Sequence, residues 1–210
     1  MRRALSVPQR RGLLALAIVA AAAFFAIALG AELGVLIDAE WTLQHETQAL
    51  RTHALEAPMR AVSLLGTGWV LLPVTVAGAL VVRTRDAGLA AAIVIVGVLA
   101  AAAANLAKLL AVRQRPNTVM WSYPSAHTFG VVVFLVLLLY TLWALEAPAR
   151  WRWLTVSVAV PLVAAVGVSR LYLNAHWLSD VLGGVTGGLA FALAALLVVD
   201  AAPRPGAAGG

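Results

Sequence analysis

Residues 169–180 read SRLYLNAHWLSD, an island holding an arginine, a histidine and an aspartate between two long apolar runs. Ionisable groups set between membrane-length apolar segments are costly and by default mark function. His176 and Asp180 are four residues apart, so on a helix they share a face, one turn from each other. The carboxylate then accepts a hydrogen bond from one ring nitrogen and leaves the other free and aimed. That is the layout of an oriented histidine nucleophile or base. Arg170, beyond a short connector, is a candidate ligand for an oxyanion near the same histidine.

Composition identifies the solvent around that island. Of 210 residues, 62% are hydrophobic and 11% are charged, and the mean hydropathy is +0.93. A soluble domain is about half apolar and about a quarter charged. The chain therefore reads as an all-α, polytopic membrane helix bundle, one domain over residues 1–210. The absence of cysteine excludes disulfides and thiolate-ligated metals. The net charge of +6 is carried by arginines in short groups between apolar runs, with no soluble basic domain to hold a nucleic acid. Those groups read as topology signals and anion ligands.

Six membrane helices are expected, at about 13–36, 61–82, 87–110, 125–145, 154–168 and 176–199. The basic segment 1–11 and the apolar run after it resemble a signal peptide, but a signal core is about 7–15 residues long. This run is longer, so it reads as an uncleaved first helix; ALGA at 28–31 is the cleavage-like feature that supports the competing reading. The polar connector 37–60 suggests a short amphipathic helix on the membrane surface, with His45 and His53 exposed. Pro73 marks a kink in the second span. Gly183, Gly184, Gly187 and Gly188 form two overlapping small-xxx-small pairs that permit close helix contact in the last span. The tail, 201–210, is expected to be disordered.

Six spans put both termini on one side. If that side is cytoplasmic, Arg2, Arg3, Arg10, Arg11, Arg83, Arg85, Arg150, Arg152 and Arg204 lie inside, nine of the fifteen basic residues. Several of the other six, Arg51, Arg60, Lys108, Arg113, Arg115 and Arg170, belong to the candidate site, so the inside bias is strong. The expected location is a bacterial cytoplasmic membrane, with both termini inside and the site at the outer membrane–water interface.

Two further clusters fall on that outer face. In KLLAVRQRP, Lys108 and Arg115 are seven apart, about two turns, so they share a face if the helix continues that far. In YPSAHT, Ser125 stands where a helix N-cap stands, and the first-turn amides favour an anion. Two readings of Ser125 stay open, cap and phosphate ligand. His127 lies in that first turn, within reach of whatever binds there. Two histidines with several cations fit phosphoryl transfer: one attacks phosphorus, the other protonates the leaving oxygen, and cations and amides meet the phosphate charge. No acidic cluster suited to Mg²⁺ is visible in the sequence, so no cofactor is expected.

These residues resemble the type 2 phosphatidic acid phosphatases, membrane relatives of vanadium haloperoxidases and bacterial acid phosphatases. The family's motifs are K-x6-RP, PSGH and SR-x5-H-x3-D. Here they read Lys108-LLAVRQ-Arg115-Pro116, Pro124-Ser125-Ala126-His127 and Ser169-Arg170-LYLNA-His176-WLS-Asp180, over about 73 residues. The single departure is Ala126, where the family usually has glycine. The resemblance implies that His176 attacks phosphorus and forms a phosphohistidine, that Asp180 orients it, and that His127 protonates the leaving group and then activates water. It implies that Lys108, Arg115, Ser125 and Arg170 hold the phosphate, helped by the Ala126 N–H. Alanine is strained there if the turn needs a positive φ, and costs little if the residue is already helical; the second reading is favoured. Arg113, at a position the motif leaves open, is a further candidate for substrate contact.

An outward-facing site at headgroup level admits a membrane lipid sideways. The lead substrate is undecaprenyl diphosphate, with phosphatidic acid and phosphatidylglycerol phosphate as rivals. A lipid phosphotransferase and a non-enzymatic lipid-binding or transport protein are the alternatives from other classes. Oligomeric state is not legible.

Overall fold

The protein is described here by a computed structural model, which covers residues 3–109, 113–118 and 120–202. Among these residues the chain forms α1 (Val7–Glu32), α2 (Ile37–Ala49), α3 (His53–Leu64), α4 (Gly68–Arg83), α5 (Ala87–Leu106), α6 (Ala126–Ala144), α7 (Ala149–Tyr172) and α8 (Leu178–Ala201). A 3-10 turn, Ala107–Leu109, follows α5. Five segments are long and apolar enough to span a membrane, and α3 with α4, bent by 42° at a short break, passes the same test as a pair, in the manner of a broken span or a re-entrant loop. The structure is thus a multi-pass membrane helix bundle.

Local chemistry sets the ends. Ser6 and Gln9 form a reciprocal capping box at the start of α1. Asp86 caps α5 by accepting from the Leu89 N–H at 2.8 Å, which lets a very short link join α4 to α5. The break in the second span differs from the expectation. Pro73 lies inside α4, and the chain bends instead between α3 and α4, where Gly66 packs on the helix carrying His127. A Cβ at Gly66 would stand 2.9 Å from the His127 Cβ and 3.0 Å from its carbonyl oxygen. The close approach fixes the position of the bend, and a lipid-facing proline is tolerated within a span.

Helix α8 lies between α1 and α6, and its glycines explain both contacts. Gly187 faces Phe24 of α1, and Gly183 faces the Tyr123 ring; Gly184 and Gly188 face the backbone of α6. A Cβ on Gly184 would come 2.7 Å from the Ser125 carbonyl and 2.9 Å from the Thr128 Cβ. Neither neighbour is a flexible side-chain tip, so Gly184→Val is expected to destabilise the fold by about 3 kcal/mol. Thermal unfolding in detergent checks this; an unchanged midpoint would show that α6 and α8 can separate freely.

The opposite end of the bundle is tied by Asp200 at the close of α8. It accepts from the Leu5 N–H at 3.2 Å and the Tyr140 hydroxyl at 3.3 Å, and pairs with Arg10 at 2.7 Å. The Arg3 N–H donates to the Ala144 carbonyl at 2.8 Å. Arg10 thus belongs to the end away from the candidate site. Arg204 and most of the tail expected to be disordered lie outside the described residues.

Candidate active site

The three motifs meet at one end of the bundle, where α5 and α7 finish and α6 and α8 begin. His176 is only 1% exposed and Asp180 is fully buried. His176 precedes α8, whose N-cap is Trp177, so the pair does not share a helix face as its spacing alone suggested. Contact is made all the same: His176 Nδ1 lies 3.2 Å from Asp180 Oδ2. The same oxygen accepts the Trp177 N–H at 2.8 Å and the Ser122 hydroxyl. With its Nδ1–H on the carboxylate, the imidazole keeps the Nε2 lone pair for chemistry.

Burial pushes His176 down to about 4 from its ordinary 6.5, against the raising effect of the Asp180 hydrogen bond and charge. The ring is therefore neutral and nucleophilic at physiological pH. The unfolded chain takes up this proton near 6.5 and the native chain only near 4, so His176 makes stability fall as pH drops through that window. His176→Asn is expected to flatten the slope of stability against pH there, measured by thermal unfolding. An unaltered slope would place the titrating group elsewhere.

Ser125 is the N-cap residue of α6 by backbone position, without a side-chain cap bond. Its N–H donates to the Asp180 carbonyl at 2.8 Å, which locks the second motif onto the third. Its hydroxyl accepts from Thr128 at 3.2 Å. Ala126 is the first residue of α6, so alanine takes a helical conformation and keeps the N–H. His127 follows on the same turn, within electrostatic range of Arg170, His176, Arg115 and Lys108.

The cations arrive from three directions. Lys108 lies in the turn after α5 and donates to the Pro124 carbonyl at 3.0 Å. Helix α5 ends at Leu106, so Lys108 and Arg115 do not share a helix face; Arg115 lies on the following loop, which an isolated bridge between Gln114 and Trp121 closes. Arg170 comes from the last turn of α7 and donates to the Ser63 hydroxyl at 2.6 Å, leaving its buried Nε without a partner. Arg113 belongs elsewhere. It pairs with Glu40 of α2, donates to the Ser179 hydroxyl at 2.7 Å and lies over the Trp177 ring. These contacts tie α2 to the start of α8.

Sequence reasoning missed Ser122, Ser63 and Glu40. Ser122 and Ser63 carried no usable signal. Glu40 did: with Gln44 and Gln48 it makes a polar stripe at four-residue spacing. The connector was expected to carry a helix at the membrane surface, yet Glu40 and Gln44 are 5% and 4% exposed. His45 and His53 are exposed. Tyr123, buried against Gly183, donates its hydroxyl to the Phe24 carbonyl at 2.5 Å. Burial first, and the Asp180 charge second, push its phenol upward, so it remains a donor. Among the described residues, no three carboxylate or imidazole groups converge in a metal-binding arrangement.

The sequence model described as the PAP2 superfamily matches residues 87–204, a segment that contains every member of this cluster except Ser63 and Glu40. The chain belongs to the PAP2 superfamily. Its fold is similar to the crystal structure of the first transmembrane PAP2 type phosphatidylglycerolphosphate phosphatase from Bacillus subtilis, with a TM-score of 0.76 and 22% sequence identity, covering 86% of this chain and 94% of that one. Curated proteins include no match.

Proposed function

We infer that the protein hydrolyses a membrane lipid phosphate or diphosphate through a phosphohistidine, without a metal, at the outer face of a bacterial cytoplasmic membrane and with both termini inside. His176 Nε2 attacks phosphorus, forming an N–P bond as the P–O bond to the lipid breaks. His127 gives its proton to the departing oxygen. It then takes a proton from water, whose oxygen attacks phosphorus and breaks the N–P bond, releasing phosphate and a neutral His176. Lys108, Arg115 and Arg170 neutralise the phosphoryl oxygens, with the first-turn amides of α6 alongside. Asp180 steadies the imidazole and the charge it acquires during attack.

The observation that carries a lipid substrate is the cavity beside His127. It measures about 630 Å3 and runs between α4, α5 and α6, lined by Leu71, Val98, Ala101, Val133 and Phe134, with His127 and Asn105 among its few polar neighbours. An apolar chamber continuous with the proposed general acid suits a hydrocarbon chain attached to the reacting phosphate. Undecaprenyl diphosphate remains the lead substrate. Phosphatidylglycerol phosphate gains support from the name of the Bacillus subtilis protein, and phosphatidic acid has the same headgroup chemistry.

Phosphate release from each of these three lipids and from a soluble phosphate ester, in detergent micelles with EDTA present, tests the reading. Turnover of one lipid that survives EDTA and disappears in His176→Ala is the expected result. Release that persists in His176→Ala, or that EDTA abolishes, overturns the mechanism.

A further inference from the structure

The polar stripe of α2 faces the protein rather than water. Gln44 Nε2 donates to the Leu171 carbonyl at 3.1 Å and to Asn174 Oδ1 at 2.7 Å. Gln48 Nε2 donates to the Leu171 carbonyl at 3.2 Å. The Leu171 carbonyl, which also accepts the Asn174 N–H at 2.9 Å, lies one residue beyond Arg170, so both glutamines hold the close of α7. Glu40, one turn earlier on the same stripe, reaches the other side of the loop. Its Oε1 accepts the Ser179 N–H at 2.8 Å, in the first turn of α8. Its other oxygen holds Arg113, whose guanidinium carbon stands 5.0 Å from the Trp177 ring centroid. The Trp177 indole N–H is anchored on the Gln114 carbonyl at 2.9 Å, and its backbone N–H is one of the donors on Asp180. Trp41, beside Glu40, packs edge-on against Trp177 at 4.8 Å. Helix α2 therefore straddles the loop that carries His176, gripping α7 before it and α8 after it.

We propose that Glu40 is a positioning residue for the His176–Asp180 pair, acting from α2 through the Ser179 N–H. This rests on the reading of His176 as nucleophile. The carboxylate has a second task, since it cancels the charge of Arg113. The two side chains are only 4% and 10% exposed, so removing one partner strands a buried charge, whereas replacing both with apolar groups is tolerated. That asymmetry separates positioning from stability.

The experiment uses the full-length protein in detergent, with undecaprenyl diphosphate and phosphatidic acid as probes and thermal unfolding measured on the same preparations. Glu40→Leu is expected to lower both the unfolding midpoint and kcat. Glu40→Leu combined with Arg113→Met is expected to recover the midpoint yet stay about 100-fold low in kcat, with KM within about threefold, because the Ser179 N–H still has no acceptor and attack geometry degrades steeply with small displacements. Glu40→Gln with Arg113→Met keeps a carbonyl acceptor and no stranded charge, and is expected to regain most of kcat. Glu46→Gln, on the exposed side of the same helix, serves as the unchanged control. If kcat returns together with the midpoint in the Leu/Met pair, or if the Gln/Met pair is as slow as the Leu/Met pair, Glu40 does not position the site. His176→Ala run alongside keeps the two ideas apart: turnover there removes the nucleophile assignment, whereas a dead His176→Ala with an unaffected Glu40 series removes only the positioning role.

Discussion

His176→Asn is expected to lower phosphate release by about 10⁴-fold or more, with lipid binding little changed. The size follows from the role: a residue that forms the covalent intermediate cannot be bypassed cheaply, and what survives is the rate due to binding and charge stabilisation. Asparagine is the informative replacement because the site is closed. At 1% exposure, alanine would leave a void beside Asp180, whereas the asparagine amide still has an N–H for Asp180 Oδ2 and a comparable reach. Binding persists because the ligands proposed for the phosphate, Lys108, Arg115 and Arg170, come from the α5 turn, the following loop and α7, none of which depends on the His176 ring. Rapid mixing with phosphorus-labelled lipid and an alkaline quench reads the intermediate directly, since a phosphohistidine survives base. The wild-type protein should carry label on His176 and the Asn variant none. Label at another residue would move the nucleophile; equal turnover by the variant would end the covalent mechanism.

The motifs were legible because phosphoryl chemistry demands particular residue types at a spacing the backbone must respect, and because the apolar runs between them are too long for a soluble core. What the spacing did not reveal is how contact is made. His176 and Asp180 looked like an i, i+4 pair on a helix, yet α8 starts after His176, and the Trp177 N–H joins the two by bonding the carboxylate. Lys108 and Arg115 looked like one helical face, but α5 stops short and a loop delivers the arginine. Glu40 was hidden by its setting: a polar connector suggests a helix on the membrane surface, whereas its polar stripe bonds to the close of α7 and the first turn of α8. Pro73 drew attention as the kink, although the bend is set by packing at Gly66, which only a three-dimensional neighbour can disclose. Arg113 carried an ambiguity no local rule resolves, since its partner is 73 residues away.

His127→Asn is expected to slow turnover of a lipid monoester by about 10³-fold, within the range typical of a general acid–base residue, and the loss should depend on the leaving group. An alkoxide departing from phosphorus is strongly basic and needs the proton that His127 supplies. A nitrophenolate needs little help, so the first step on nitrophenyl phosphate should be nearly unimpaired in the variant. The second step has no such escape, because water must still be deprotonated to break the N–P bond. The variant should therefore release a burst of nitrophenol close to one per protein molecule and then stall with label on His176. A lipid diphosphate lies near the nitrophenyl end, since its leaving group is a phosphate monoester with a second pKa of about 6, far less basic than an alkoxide. The ratio of wild-type to variant rates thus orders the candidate substrates by chemistry rather than by affinity, and a physiological diphosphate should show a smaller first-step loss than phosphatidic acid. Gly66 packed against His127 holds the helix turn in place, so the asparagine variant should unfold at nearly the wild-type temperature. An equal loss on nitrophenyl phosphate and on lipid in the first step would remove His127 as the proton donor and leave it a phosphate ligand.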